Sequence, residues 1–341
     1  MRFKKFTAFI LTIILIISTA CFCVLGEFSD LGMEKSRFVK GEGPKVDGFT
    51  IDYRYYSPVK DSDTAKYPLV IWLHGMWNGT RDGKQLSASD IAAWAKPEYQ
   101  SRFKDSGGAF IMAPRSVEER FNFWGDNLIR PLKATIDDFI AKNSANIDIS
   151  RIYIGGYSMG GKMTLKMAVA YPEMFAAIFP ICPKWVPNKA AAEKISNTPI
   201  WLTASSQDFL INYYSEIIPT WEVLMSESNI PQICRFSTMK KTVFPNGSPT
   251  PTVHDSWYAV NYDLFSDTGG DYPTLKTING NGDEIKLTYP DGMISWLSGF
   301  KSNYDGSTAN GKGNSEAYKA NSTWNIFVTI YNFFNNLFRY A

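Results

Sequence analysis

The stretch Gly156-Tyr157-Ser158-Met159-Gly160 places a glycine two residues to either side of a serine, the spacing of a nucleophile elbow. A serine hydroxyl is a weak nucleophile at neutral pH and needs a base within hydrogen-bond reach. The 341-residue chain holds 2 histidines, His74 and His254. His254, in "PTVHDSWYAV", follows the serine and falls in a polar loop after the later apolar runs, so it is the expected base. A third group must orient the imidazole and stabilise its protonated form. Asp208, just past the run "PIWLTAS", fits that place. Asp255 adjoins His254 in sequence, and its side chain would be hard pressed to reach the Nδ1 side. In the order Ser158, Asp208, His254, these residues suit acyl transfer through a covalent acyl-enzyme. The two histidines have no further ligand cluster beside them in sequence, so neither a metal nor a cofactor is expected.

Such a constellation needs strand ends gathered on one edge. Between about residues 50 and 300, apolar runs of strand length alternate with helical spacing. "FTIDYRYYSP", "YPLVIWLHG", "GGAFIMAPR", "RIYIGGY", "FAAIFPIC" and "TPIWLTAS" read as strands. "NLIRPLKATIDDFIAKN" reads as a helix, with Leu128, Leu132, Ile136 and Ile140 on one face, and so do "KMTLKMAVAYP" and "DGMISWLSGF". The alternation predicts an α/β fold, a mainly parallel sheet with helices on both faces. Ser158 then sits at a strand-to-helix turn, and the backbone N–H of Met159 points toward a developing oxyanion.

From about residue 50 to 260 the chain resembles the secreted α/β-hydrolase esterases related to polyhydroxybutyrate depolymerases and feruloyl or acetylxylan esterases. Within these it is most similar to the prolyl-oligopeptidase-like branch labelled "predicted peptidase". The matching residues are "YPLVIWLHGMWNG", "FIMAPR", "NIDISRIYIGGYSMGGKMTLKMAVAYPEMFAAIFPICP", the Asp208 segment and "HDSW". The resemblance implies the α/β-hydrolase fold, with Ser158 as nucleophile, His254 as base, Asp208 as acid, and the N–H groups of Met76 and Met159 as oxyanion donors. It also implies that His74, before Gly75, shapes the loop that carries Met76. The chain departs from the family pattern in two places. Residues 266–289, with a hairpin expected around Asn279–Gly282, replace a short path to the last helix. Met76 and Trp77 stand where small residues are common.

Trp77, Trp124, Trp185 and Trp257 fall in segments expected at the catalytic edge and are the candidate pocket walls, suited to a sugar ring or an aromatic acyl group. The expected substrates are acyl or phenolic esters of polysaccharide, or other short-chain esters. Peptide cleavage, the first alternative, requires protonation of a leaving amine and usually a gating domain, and no propeller-length extension is present in this sequence. A catalytically silent surface-binding protein is the second alternative. It gives no reason for serine, acid and histidine to stand in hydrolase order.

Arg2, Lys4 and Lys5 precede the apolar run "FTAFILTIILIISTACFCVLG", the pattern of an export signal over residues 1–26. Removing it would change the formal charge from +2 to −1, and no basic cluster elsewhere favours nucleic acid. "STAC" also resembles a lipoprotein cleavage site with Cys21 lipidated. The expected organisation is a catalytic domain over 27–300, a Ser/Gly/Asn/Lys-rich linker over 301–322 and an amphipathic, aromatic-rich helix over 323–341. That helix either docks on the domain or touches a membrane surface or partner. The chain is expected to be secreted or held at the cell surface, where Cys182 and Cys234 either pair or stay as buried thiols.

Overall fold

The computed structural model describes residues 34–306, apart from 77, 88–90, 118–123, 242–243, 245–247, 266–274 and 289. The expected leader, the C-terminal helix, most of the linker and Trp77 lie outside these residues.

Six strands form the parallel body of one sheet: β3 (Tyr67–Leu73), β4 (Phe110–Pro114), β5 (Ile147–Tyr157), β6 (Ala177–Ile181), β7 (Trp201–Ser205) and β8 (Arg235–Met239). β1 (Val39–Glu42) and β2 (Asp52–Tyr56) add antiparallel at one edge, and β9 (Lys276–Asn279) adds antiparallel at the other. The order is β1-β2-β4-β3-β5-β6-β7-β8-β9, a mostly parallel sheet with helices packed against it. Every residue of β3, β4, β6 and β7 is buried. That is why these strands read as unbroken apolar runs rather than as alternating ones: both faces are covered.

β9 lies within the segment read from sequence as an insertion. Its hairpin closes through Asn279 N–H to Asp283 O (2.8 Å) and Ile285 N–H to Thr277 O (2.8 Å). The segment thus extends the sheet by a strand. Its partner β8 is barely visible in sequence because two of its five residues are hydroxylated. The Ser237 hydroxyl is accommodated between neighbouring strands: Trp201 Nε1–H donates to Ser237 Oγ (2.8 Å), which also bonds Thr277 Oγ1 (2.7 Å).

Helix α1 (Ile129–Lys142) buries Leu132 and Ile136 of the expected stripe, while Phe139 is buried in place of Ile140, which stays partly exposed. Helix α2 (Met159–Ala170) follows β5 directly. Helix α3 (Met293–Ser298) starts on a buried acceptor, where Met293 N–H meets Asp263 Oδ1 (2.5 Å) and Arg102 balances that carboxylate at 2.9 Å.

The core continues toward the candidate site as a column of rings. Trp94 stacks on Phe179 (5.8 Å), Phe179 on Trp72 (6.1 Å), and Trp72 leans on Tyr157 (5.8 Å). Tyr157 meets Trp257 at 4.1 Å, and Trp257 meets the His254 imidazole edge-on at 5.4 Å. Each aromatic pair contributes roughly 0.5–1.5 kcal/mol beyond its buried area. The column therefore ties the residue before Ser158 and the loop bearing His254 to the same rigid body.

Candidate active site

β5 ends at Tyr157 and α2 begins at Met159. Between them Ser158 has φ 56° and ψ −114°, in a region that non-glycine residues rarely enter. Such a conformation costs about 1–3 kcal/mol and persists only where the surroundings impose it. Here Ser158 N–H donates to Ile181 O of β6 (2.9 Å), and Ser158 O accepts from Lys162 N–H (3.0 Å). The motif glycines have a steric cause. A Cβ on Gly156 would lie 2.3 Å from Leu73 O, and one on Gly160 would lie 2.1 Å from Leu73 O and 2.6 Å from His74 O. The turn is pressed against the end of β3, and any side chain there would push it off. The Ser158 side chain is partly exposed. Its hydroxyl makes no hydrogen bond among the described residues.

Asp208 and His254 are 46 positions apart, yet His254 Nδ1 lies 2.6 Å from Asp208 Oδ2, with both side chains buried. The carboxylate is fixed before it meets the ring, since Oδ1 accepts from Leu210 N–H (2.9 Å) and Ile211 N–H (3.0 Å) of its own loop. With Nδ1–H donating to the carboxylate, the lone pair of Nε2 is left to accept a proton. Burial opposes charge on the ring, but the acidic groups Cys182 and Asp208 beside it prevail and hold its pKa well above 6.5. Asp255 turns to other work: its Oδ2 accepts Thr252 N–H (2.7 Å) and so clamps the loop that carries the histidine.

Cys182, which sequence reasoning did not assign to the site, lies against this pair. It follows Ile181, whose carbonyl holds the elbow, and takes φ 36°, again left-handed for a side-chain-bearing residue. Its Sγ, one His254 ring nitrogen and an Asp208 oxygen all lie within 4.8 Å of one another. The end of β6 thus touches both the serine turn and the histidine. Cys182 and Cys234 are separate buried free thiols, and Cys234 Sγ sits 3.9 Å from Ser228 Oγ instead. The signal for Cys182 was its position at a strand end on the edge that carries Ser158.

His74 is completely buried at the end of β3. Its Nε2 accepts Ser116 N–H (3.0 Å), so Nδ1 carries the proton and donates it to Gly75 O (2.7 Å). Burial pushes its pKa down to about 4, so the ring is neutral. Its grip on Gly75 O fixes the plane of the Gly75–Met76 peptide, and in a trans peptide the N–H of Met76 points opposite to that carbonyl. From the other side, Asn78 Nδ2–H bonds the Tyr157 hydroxyl. Met76 and Met159 therefore sit on two segments anchored to each other through Tyr157 and the end of β3.

The candidate pocket walls separate. Trp124 is fully buried, donates Nε1–H to His74 O (3.0 Å) and packs on that ring at 5.2 Å. It is a buttress of the His74 loop, and the pocket role expected from its position is corrected accordingly. Apolar spacing alone could not distinguish a tryptophan near an edge from one beneath it. Trp257 is 8% exposed and wedged between Tyr157 and His254, with a buried Nε1–H that has no partner among the described residues. Trp185 is partly exposed, with Lys166 Nζ 5.3 Å over its ring.

A family model described as phospholipase/carboxylesterase matches residues 123–240, which run through β8 and include Trp124, Ser158 and Asp208. The sequence is 31% identical over 135 residues to feruloyl esterase B of Neurospora crassa, covering 36% of this chain and 41% of that protein. It is 28% identical over 129 residues to poly(3-hydroxyalkanoate) depolymerase C of Paucimonas lemoignei, covering 34% of this chain and 28% of that one. The chain thus spans less than half the length of these relatives. A crystal structure of a thermostable esterase superposes with a TM-score of 0.53 at 28% identity, over 68% of this chain and 62% of that one. Sheet order, elbow and matches together define the class by fold: the chain has the α/β-hydrolase fold. Within that class its similarity runs to esterases and a polyester depolymerase.

Proposed function

We infer that the protein is a serine carboxylic ester hydrolase. The observation that carries this is the 2.6 Å contact between His254 Nδ1 and Asp208 Oδ2, on an edge where Ser158 is held in a strained turn. In this reading Ser158 Oγ attacks the ester carbonyl carbon while its proton passes to His254 Nε2. The N–H groups of Met76 and Met159 receive the oxyanion. Collapse of the tetrahedral intermediate breaks the bond to the alcohol, which leaves with the proton from His254. Water then attacks the acyl-enzyme by the same route, releasing the acid and restoring Ser158. The hydroxyl-to-imidazole bond forms as substrate seats, as it commonly does in sites of this kind.

Ester chemistry on acyl or phenolic groups is favoured by the relatives, and the partly exposed Trp185 offers a flat wall for a sugar or aryl ring. Export through residues 1–26 belongs to the same proposal. The test is turnover of a chromogenic short-chain ester alongside acetylated and feruloylated xylans. Ser158→Ala should lose at least about 10⁴-fold in kcat and lose labelling by a fluorophosphonate. Full activity in that variant would overturn the assignment.

A further inference from the structure

We propose that Cys182, Asp208 and His254 form a binding site for a single thiophilic divalent cation of the zinc or cadmium class, and that occupancy switches the hydrolase off. The proposal rests on the ester-hydrolase reading for its consequence, not for the binding itself. One sulfur, one imidazole nitrogen and one carboxylate oxygen lie within 4.8 Å of one another, all three residues buried. Tetrahedral zinc, with bonds of about 2.0–2.3 Å, places its donors about 3.5 Å apart. Donors as far apart as 4.8 Å must close by about 1.3 Å to reach that geometry, and any metal bound at Nδ1 must first open the 2.6 Å contact with Asp208. Three protein ligands leave a fourth position for water.

Charge favours the complex. Thiolate and carboxylate together balance a divalent cation, and the imidazole binds neutral, so the buried assembly carries no net charge. A buried ion is tolerated only when compensated in this way. The bonds balance simply. The Cys182 S–H proton leaves to solvent and its sulfur lone pair binds the metal, so affinity rises with pH. The ring supplies a lone pair from one nitrogen. If that is Nε2, the acceptor for the serine proton is occupied. If it is Nδ1, the ring proton must move to Nε2, and the acceptor is again lost. Either way His254 cannot act as a base.

The sulfur makes the site selective: magnesium and calcium prefer oxygen donors and should not bind. Cadmium titrated into the full chain near pH 7.5 should give a thiolate-to-metal charge-transfer band at one equivalent. Cys182→Ser should abolish it and Cys234→Ser should not. Zinc should inhibit ester hydrolysis, a chelator should restore it, and Cys182→Ser should be inhibited at least about tenfold less sensitively. If Cys182→Ser does not fold, His254→Ala serves, and it should weaken the cadmium band. A band that survives in Cys182→Ser, its absence from the wild-type protein, or its full persistence in His254→Ala would each overturn the site. Because the band is read without turnover, its failure is separable from failure of the esterase reading, which Ser158→Ala tests.

Discussion

The two histidines stand at the two sides of one catalytic edge and have been driven to opposite states. Each is buried and each donates Nδ1–H to an oxygen, at 2.7 Å for His74 and 2.6 Å for His254. The oxygen decides the outcome. For His74 burial dominates, its hydrogen bond to the neutral carbonyl of Gly75 offsets only part of that, and the nearby Arg115 and Lys84 add to the fall, so the pKa drops to about 4. For His254 it is the carboxylate of Asp208, with Cys182 alongside, and the pKa rises well above 6.5 despite burial. The same side chain is thus held uncharged in one loop and made strongly basic in the other, because a neutral carbonyl stabilises imidazolium less than acidic neighbours do.

The harshest way to test this contrast is to remove each ring. His254→Ala should lower kcat/KM by at least about 10⁴-fold, because nothing else described at the site can take the serine proton. Comparable total loss in His74→Ala would erase the functional distinction between the two. Asp208→Asn keeps the shape but removes the charge, and an amide N–H facing the ring favours the wrong tautomer. The expected loss is about 10⁴-fold in kcat. The wild-type acid limb of kcat/KM should have its midpoint above 6.5, since burial of the ring is outweighed by its acidic neighbours. In Asp208→Asn the limb should move to lower pH; an unmoved limb would mean that Asp208 does not set the basicity of His254.

Much of this was legible from residue types. The elbow, the strand that precedes it and the order of serine, acid and histidine are local or nearly local signals. They survive in sequence because a glycine beside Leu73 O cannot be replaced without a clash and a strand buried on both faces must be apolar throughout. What was not legible depends on which chain segments meet. Cys182 is an ordinary residue at the end of "FAAIFPIC" until β6 is seen beside the His254 loop. Trp124 looks like a pocket wall until its Nε1–H is found on His74 O. β8, with Ser237 and Thr238, lacks apolar continuity because its hydroxyls find partners that sequence does not show: Ser237 on β7 and β9, and Thr238 on Tyr213.

A milder test asks which bond of His74 matters. Asparagine places an N–H near the Nδ1 position and can keep the grip on Gly75 O. Glutamine reaches the Nε2 position and can keep the acceptor for Ser116 N–H instead. If His74 acts by orienting the Met76 N–H, His74→Asn should retain most of its kcat. His74→Gln should lose about 10²-fold, the scale of one misplaced oxyanion donor. KM should change little in either. Equal losses would reduce His74 to packing and weaken the assignment of Met76 as a donor.

The last effect, and the one that separates the two rings most directly, is on stability against pH and leaves the reaction itself aside. His74 is neutral in the folded protein, with its pKa lowered to about 4 from 6.5. Between those values the unfolded chain binds more protons than the folded one, so this group's contribution is full above pH 6.5 and is lost as pH falls toward 4. The drop amounts to about 3 kcal/mol, at 1.36 kcal/mol per unit. His254 has the opposite sign. Its raised pKa gives a contribution that is full below pH 6.5 and is lost as pH rises through the folded value. Denaturant unfolding across this range should therefore bend downward on both sides. His74→Asn, which cannot titrate, should flatten only the acid side, and His254→Asn only the alkaline side. If His74→Asn left the acid slope intact, the ring would have to be charging in place, and a charged His74 would lose the Nε2 lone pair that holds Ser116 N–H.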